Sequence, residues 1–196
     1  MPTAKELQDQ GVKQFMQQDY ELAVETFRHA VAAYEEEGAA DMAAEMQVNL
    51  GLALHSLGEY DNALEEMNKA HAVFVQVNDP KRIAQVLGNM ARVYARMGNS
   101  EQAITNYREA AAMFQELGDD ENYGQTVLAI ADLQLRSGKI MQAAATYEIG
   151  LEHIKNPNAR QRLMKKMLGL RNKIAGGGAP KADDDDEDKD SEDDQA

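Results

Sequence analysis

The chain has 196 residues, of which 43% are hydrophobic and 28% are charged, a composition typical of globular proteins. Cysteine is absent, so disulfide bonds and thiolate zinc sites are excluded. The first residues lack the apolar run of a signal peptide, and no stretch approaches the ~20 apolar residues of a membrane span. We therefore expect a cytoplasmic protein with no membrane partner.

The net charge of −14 is unevenly distributed along the chain. Residues 1–154 carry −13, residues 155–173 carry +7, and residues 176–196 carry −8. The acidic body argues against general nucleic-acid binding. The C-terminal segment 176–196 begins with three glycines and then holds ten acidic residues and almost no apolar side chain, so we expect a disordered tail.

Apolar residues at helical spacing recur in copies with a constant period of about 40 residues, with no insertion or deletion between them. The spacing predicts eight helices at roughly 3–17, 20–37, 39–57, 60–77, 80–97, 100–117, 120–137 and 140–155, and a basic ninth helix at 158–175. Each copy has a small residue in its first helix and a small, a bulky and a small residue in its second. These series are Gly11, Gly51, Ala91 and Ala131; Ala23, Ala63, Ala103 and Ala143; Phe27, Met67, Tyr107 and Tyr147; and Ala30, Ala70, Ala110 and Gly150.

The turns between the helices also follow the repeat. Glycine and asparagine tolerate the left-handed conformation that ends a helix, and one of them stands at nearly every expected turn. Gln18 takes this place in the first copy, so we expect its turn to differ. Thr3 and Glu6 predict a capping box at the start of the first helix. The turn residues are Gly38, Asn78, Gly118 and Asn158 between copies, and Gly58, Gly98 and Gly138 within them.

The placement of small and bulky residues resembles the tetratricopeptide repeat over about residues 4–155. The period, longer than that of the standard repeat, is similar to the long-repeat branch of G-protein-signalling regulator and kinesin light chain repeats. The typical early tryptophan and late proline of the repeat are absent. The resemblance implies an all-α superhelix, a solenoid of four helix hairpins at about 3–38, 39–78, 79–118 and 119–157. The basic helix at 158–175 would cap the array.

No catalytic or cofactor motif occurs in the sequence. None of the four histidines has a second histidine or a cysteine at ligand spacing, and there is no phosphate-binding glycine loop. The acidic run 183–186 lacks the mid-loop glycine of a calcium-binding loop. We expect neither an enzyme nor a bound cofactor or metal.

The family resemblance implies that the first helix of each hairpin lines a concave surface that binds a protein or peptide partner. Asn49 and Asn89, one repeat apart, could hold the backbone of an extended peptide, or could bond to neighbouring helices. Three arginines suit an acidic or C-terminal carboxylate ligand, or could pair with Glu45 or Asp132. The family's carboxylate clamp for chaperone tails is a poor match. The candidate site residues are Asn49, Leu52, His55, Asn89, Arg92, Arg96, Asp132 and Arg136.

The predicted function is a protein-interaction adaptor or scaffold. Two alternatives remain open. One is docking to nucleic acid or the ribosome through the basic helix at 155–173, and the other is self-association through an apolar stripe on that helix, formed by Leu163, Met167, Leu170 and Ile174. The acidic tail could shield the basic helix, enter the groove, or only improve solubility. The partner and the oligomeric state are not determined by the sequence.

Overall fold

The computed structural model describes residues 2–176, with side chains described as far as residue 169. The predicted disordered tail therefore lies outside the described residues, apart from Gly176. The described part is all-α, as predicted, and contains nine helices and no strand. They are α1 (Ala4–Met16), α2 (Tyr20–Glu36), α3 (Ala40–Leu57), α4 (Tyr60–Gln76), α5 (Pro80–Arg96), α6 (Ser100–Glu116), α7 (Asp120–Arg136), α8 (Ile140–Glu152) and α9 (Ala159–Gly176).

Local sequence sets where several helices begin. Thr3 and Glu6 form the predicted capping box of α1, in which each side chain accepts a hydrogen bond from the other residue's backbone. Asp79 accepts a hydrogen bond from the backbone of Arg82, and Pro80 occupies the first turn of α5. Asp119 caps α7 through the backbone N–H of Asn122. These side chains satisfy backbone donors that a helix leaves unpaired.

The left-handed turns follow the repeat with two departures from prediction. Gln18 has φ of 67°, close to the 74° of Gly38, so its turn is the same as the others and our expectation was wrong. Asn158 does not end a helix but caps the start of α9, where its side chain accepts from Gln161 N–H. Because α8 ends at Glu152 rather than near residue 155, an irregular segment separates the two helices.

The two helices of each hairpin cross at the repeated small residues. A Cβ added at Gly51 would lie 2.8 Å from Cγ of Met67 and 3.0 Å from the carbonyl oxygen of Ala63. At Gly11 it would lie 2.6 Å from the ring of Phe27. Such contacts are shorter than van der Waals separations, so the glycines set how closely the helices approach. The prediction of close helix approach at these positions is confirmed.

The core continues from hairpin to hairpin and is closed differently at its two ends. On one face of α1 three polar side chains are exposed: Glu6, Gln10 and Lys13. The equivalent residues of α3, one repeat later, are Met46, Leu50 and Ala53, and all three are buried. This polar outer face is what the terminal unit of a solenoid needs for solubility.

The other end is covered by α9. Its Leu168 and Met164 pack against Tyr147 and Leu151 of α8. Leu163 and Met167, which belong to the predicted apolar stripe of this helix, are each 59% exposed. The helix therefore covers the last hairpin with the face beside that stripe, and part of the stripe itself faces solvent.

Candidate functional site

A groove of about 670 Å³ runs along the first helices of the second, third and fourth hairpins. Its walls carry uncharged amide side chains together with Glu45, Arg82 and Arg92, and buried aromatic rings from the second helices line its base. The groove therefore combines an apolar base with polar groups able to form hydrogen bonds, as ligand sites usually do. The principal lining residues are Asn49, Leu52, Gln85, Asn89, Arg92, Gln125, Phe74, Tyr107 and Phe114.

Gly88 lines the groove without a side chain. The equivalent positions in the flanking hairpins, one repeat away on either side, hold Val48 and Leu128. A Cβ at Gly88 would meet no atom within 4 Å, so this glycine does not serve helix packing. The alignment of Gly88 with Val48 and Leu128 was visible in the sequence, but Gly88 was not predicted to be a groove residue.

The predicted site residues fall into two groups. Asn49, Leu52, Asn89 and Arg92 line the groove. The other four do not line it: His55, Arg96 and Arg136 stand in the last turns of α3, α5 and α7, and Asp132 lines a second, smaller cavity.

Arginines in the C-terminal halves of α5 and α7 change the pKa values of the same neighbouring side chains. Burial lowers the pKa of His55 below its ordinary value, and the charges of Arg92 and Arg96 lower it further. Burial raises the pKa of Tyr107, whereas the positive charges of Arg92 and Arg136 oppose that rise. We call Arg92, Arg96 and Arg136 the arginine cluster. It is a region of positive potential on an otherwise acidic body.

No residue that the structure describes forms a salt bridge with a member of the arginine cluster, and all three side chains are exposed. Glu45, one of the two carboxylates that could have paired with them, bonds to Arg82 at 3.0 Å. The other candidate, Asp132, bonds to Arg160 at 2.9 Å and accepts from the Tyr147 hydroxyl. Arg96 and Arg136 also complement the negative ends of their helices. That interaction leaves their guanidinium groups available to a ligand.

Arg82 itself joins the second hairpin to the third. Its guanidinium bonds to Asp79 at 2.7 Å and to Glu45 at 3.0 Å, and lies 4.8 Å from the ring centre of Phe74. Its hydrogen bond to Asp79 and the nearby carboxylates raise the pKa of Arg82. This arginine stabilises the wall of the groove and is not part of the arginine cluster.

The groove continues towards α9 through a second cavity of about 300 Å³. Gln125 and Ala129 line both cavities, while Arg160, Gln161 and Met164 of α9 close the far side. Sequence reasoning did not place α9 at the site, since no motif indicates how this helix packs.

Tyr147 and Asp132 fix the end of the second cavity. Burial and the hydrogen bond to Asp132 raise the pKa of Tyr147 to about 12. The hydroxyl therefore stays protonated near neutral pH and remains a donor to this carboxylate. Together with Arg160, these side chains connect α7, α8 and α9.

The amides of Asn49 and Asn89 make no hydrogen bond to any part of the chain that the structure describes. Both side chains are half-buried on the groove wall. The alternative, that they bond to neighbouring helices, has no support among the described contacts. Each amide offers two donors and an acceptor to a ligand.

Between residues 2 and 176 no helix is both long and apolar enough to span a membrane. Within the same part of the chain, no group of three or more histidine, cysteine or acidic side chains could hold a metal ion.

Successive helix hairpins with small residues at their crossings, and a groove along their first helices, define an α-solenoid. The tetratricopeptide repeat family model matches residues 41–116 and, in an overlapping position, 82–155. The chain thus belongs to the tetratricopeptide repeat family, as its sequence predicted.

Solved structures with this fold share little sequence with the chain, so they show the fold alone. Aspartyl phosphate phosphatase F from Bacillus subtilis aligns with TM-score 0.73 and 16% identity over 87% of this chain, which covers 44% of that protein. A putative kinesin light chain from Podospora anserina gives TM-score 0.69 and 17% identity, with 90% of each chain covered. The Rap conjugation gene regulator of plasmid pLS20, in complex with the Phr* peptide, gives 0.67 and 21%, covering 87% of this chain and 46% of the regulator. No curated protein sequence matches.

Proposed function

We propose that this protein is a non-catalytic interaction scaffold whose groove binds an extended, acidic peptide segment of a partner protein. The observation that carries the proposal is the arginine cluster, which lacks counter-ions among the described residues and stands at one end of a preformed groove. Free guanidinium groups favour carboxylates because their planar donors match both oxygens of the anion.

The groove itself supplies the reason for an extended peptide. Asn49 and Asn89 stand one repeat apart, and their free amides could each bond to a peptide backbone C=O and N–H. Such contacts give affinity with little regard to sequence, whereas side-chain pockets and charges give specificity. A similar fold, the Rap conjugation gene regulator, was solved in complex with a peptide, which supports this type of ligand.

The test uses a fluorescein-labelled decapeptide of alternating alanine and glutamate, which places its carboxylates on one side when extended. A peptide with glutamine in place of glutamate is the neutral probe. The protein variant carries Arg92→Ala, Arg96→Ala and Arg136→Ala, and binding is measured by fluorescence anisotropy at low salt. At about 0.5 kcal/mol per exposed pair, we expect the variant to bind the glutamate peptide ~10-fold more weakly.

The matched control removes three exposed cations outside the groove: Lys13→Ala, Arg28→Ala and Arg108→Ala. It changes the net charge by the same amount, so a general electrostatic effect would weaken both variants equally. Equal losses in the two variants, or no binding of the glutamate peptide even to a full-length protein whose acids at 183–194 are replaced by their amides, would contradict the proposal. Replacing Asn49 and Asn89 by alanine should weaken the glutamate and glutamine peptides alike.

A further inference from the structure

The arginine cluster lacks a partner in the described chain, although the protein as a whole has a large excess of acid. Its neighbours Glu45 and Asp132 are engaged by Arg82 and Arg160. Exposed guanidinium groups beside a groove attract anions more strongly than isolated surface charges, because low-dielectric walls concentrate the field. The cluster is therefore a site for carboxylates that can reach it.

The sequence places such carboxylates at the end of the same chain. Ten acidic residues lie between positions 183 and 194, after the glycines at 176–178. Leucine, isoleucine, valine, phenylalanine and methionine are all absent from 177–196, so this segment offers charge but no apolar anchor. Its chemistry matches a cationic site and does not match the exposed Leu163 and Met167 of α9.

The chain after α9 is long enough for the acidic residues to reach the arginine cluster. Arg160 touches Asp132, one helical turn before Arg136, and α9 rises about 1.5 Å per residue from Arg160 to Gly176. Gly176 is therefore no more than about 40 Å from Arg136. Fully extended, residues 177–190 span about 46–50 Å, so the later acids reach the cluster.

The basic face of α9 is a second place on the same chain to which the acidic segment could bind. There Arg160 is paired with Asp132, whereas Arg162, which donates to the carbonyl of Pro157, has no carboxylate partner among the described residues; Arg162, Lys165 and Lys166 are therefore the exposed unpaired cations within the described side chains of this helix. Arg162 lies three and four residues before Lys165 and Lys166 and therefore shares a side of the helix with each of them, so the experiment has to separate this face from the arginine cluster. Lysine is also more strongly hydrated than arginine and lacks its forked geometry.

We infer that the acidic segment 183–194 occupies the arginine cluster in cis and competes with acidic ligands for the groove. The inference uses the same cluster as the proposed function, but it does not require that an external peptide binds. For a tether of this length the effective concentration of the segment is of order mM, so a contact with a dissociation constant below about 1 mM would be formed most of the time.

The test exploits the absence of cysteine from the chain. Spin labels are attached in the full-length protein at Ser137→Cys, next to the cluster, and at Ser191→Cys, within the acidic segment. Double electron–electron resonance then gives the distance distribution at low salt. We expect a short, narrow component that shifts to longer distances at about 0.5 M salt, as screening requires.

The arginine variant Arg92→Ala, Arg96→Ala and Arg136→Ala should lose the short component. The control variant Lys13→Ala, Arg28→Ala and Arg108→Ala, which removes the same charge elsewhere, should keep it. The inference is overturned if no short component exists, or if Lys165→Ala with Lys166→Ala abolishes it while the arginine variant does not.

A second measurement uses the full-length chain with the acids of 183–194 replaced by their amides (Asp→Asn, Glu→Gln). A synthetic peptide of residues 183–194 should bind this protein, and the three arginine substitutions should weaken binding by ~10-fold. Absence of binding would refute the inference. Neither readout uses the glutamate–alanine probe, so failure of the inference and failure of the proposed function are separate results.

Discussion

Gly51 and Gly88 should respond in opposite directions to the same substitution by alanine. Both are helical, so alanine gains about 1 kcal/mol of helix propensity at either place. At Gly51 the new Cβ would lie 2.8 Å from the side chain of Met67 and 3.0 Å from the carbonyl oxygen of Ala63. Forcing an extra methyl into such a packed crossing costs typically about 1–3 kcal/mol.

Gly51→Ala is therefore expected to be destabilising by about 1 kcal/mol, whereas Gly88→Ala, with no atom within 4 Å of its new Cβ, should be stabilising by about 1 kcal/mol. The difference of about 2 kcal/mol corresponds to a separation of roughly 4–8 °C in melting temperature. The stability of both variants is measured by following the helical circular dichroism signal during heating and during urea titration. If Gly51→Ala is as stable as Gly88→Ala, the glycine crossings do not determine the helix packing.

Two further predictions concern single side chains. Because burial and the charges of Arg92 and Arg96 lower the pKa of His55, NMR titration should give a value below 6.5 that rises, but stays below 6.5, in Arg92→Ala with Arg96→Ala. Because the unfolded chain then binds the proton more readily than the folded protein, the free energy of unfolding falls as the pH drops below about 6.5. This fall should be smaller in the variant. An unchanged pKa of His55 in the variant would show that the two arginine charges do not act on it. Replacing Arg82 by alanine removes ion pairs with carboxylates and a contact with an aromatic ring, and should lower the free energy of unfolding by about 1–2 kcal/mol at low salt, with a smaller loss at high salt. The exposed Arg28→Ala, in which a change within about 0.5 kcal/mol is expected, is the control, and equal effects of the two substitutions would contradict a stabilising role for Arg82.

The sequence alone determined the helices, the hairpins and the family. Those features depend on local chemistry and on spacing: small residues recur where helices cross, and left-handed turns recur at the same places in successive repeats. The expectation at Gln18 failed because the tertiary structure holds a non-glycine residue at φ of 67°. The register of the repeat outweighed the weak conformational preference of that one side chain.

The tertiary structure decided which charges are free. Sequence reasoning offered Glu45 and Asp132 as partners of the arginines, and nothing in the register showed that Arg82 and Arg160 take both carboxylates. An ion pair depends on side-chain positions within a few ångströms, and residues far apart in the chain can supply either partner. For the same reason the packing of α9 against the groove could not be predicted, because it depends on a short irregular segment after Glu152 rather than on a repeated turn.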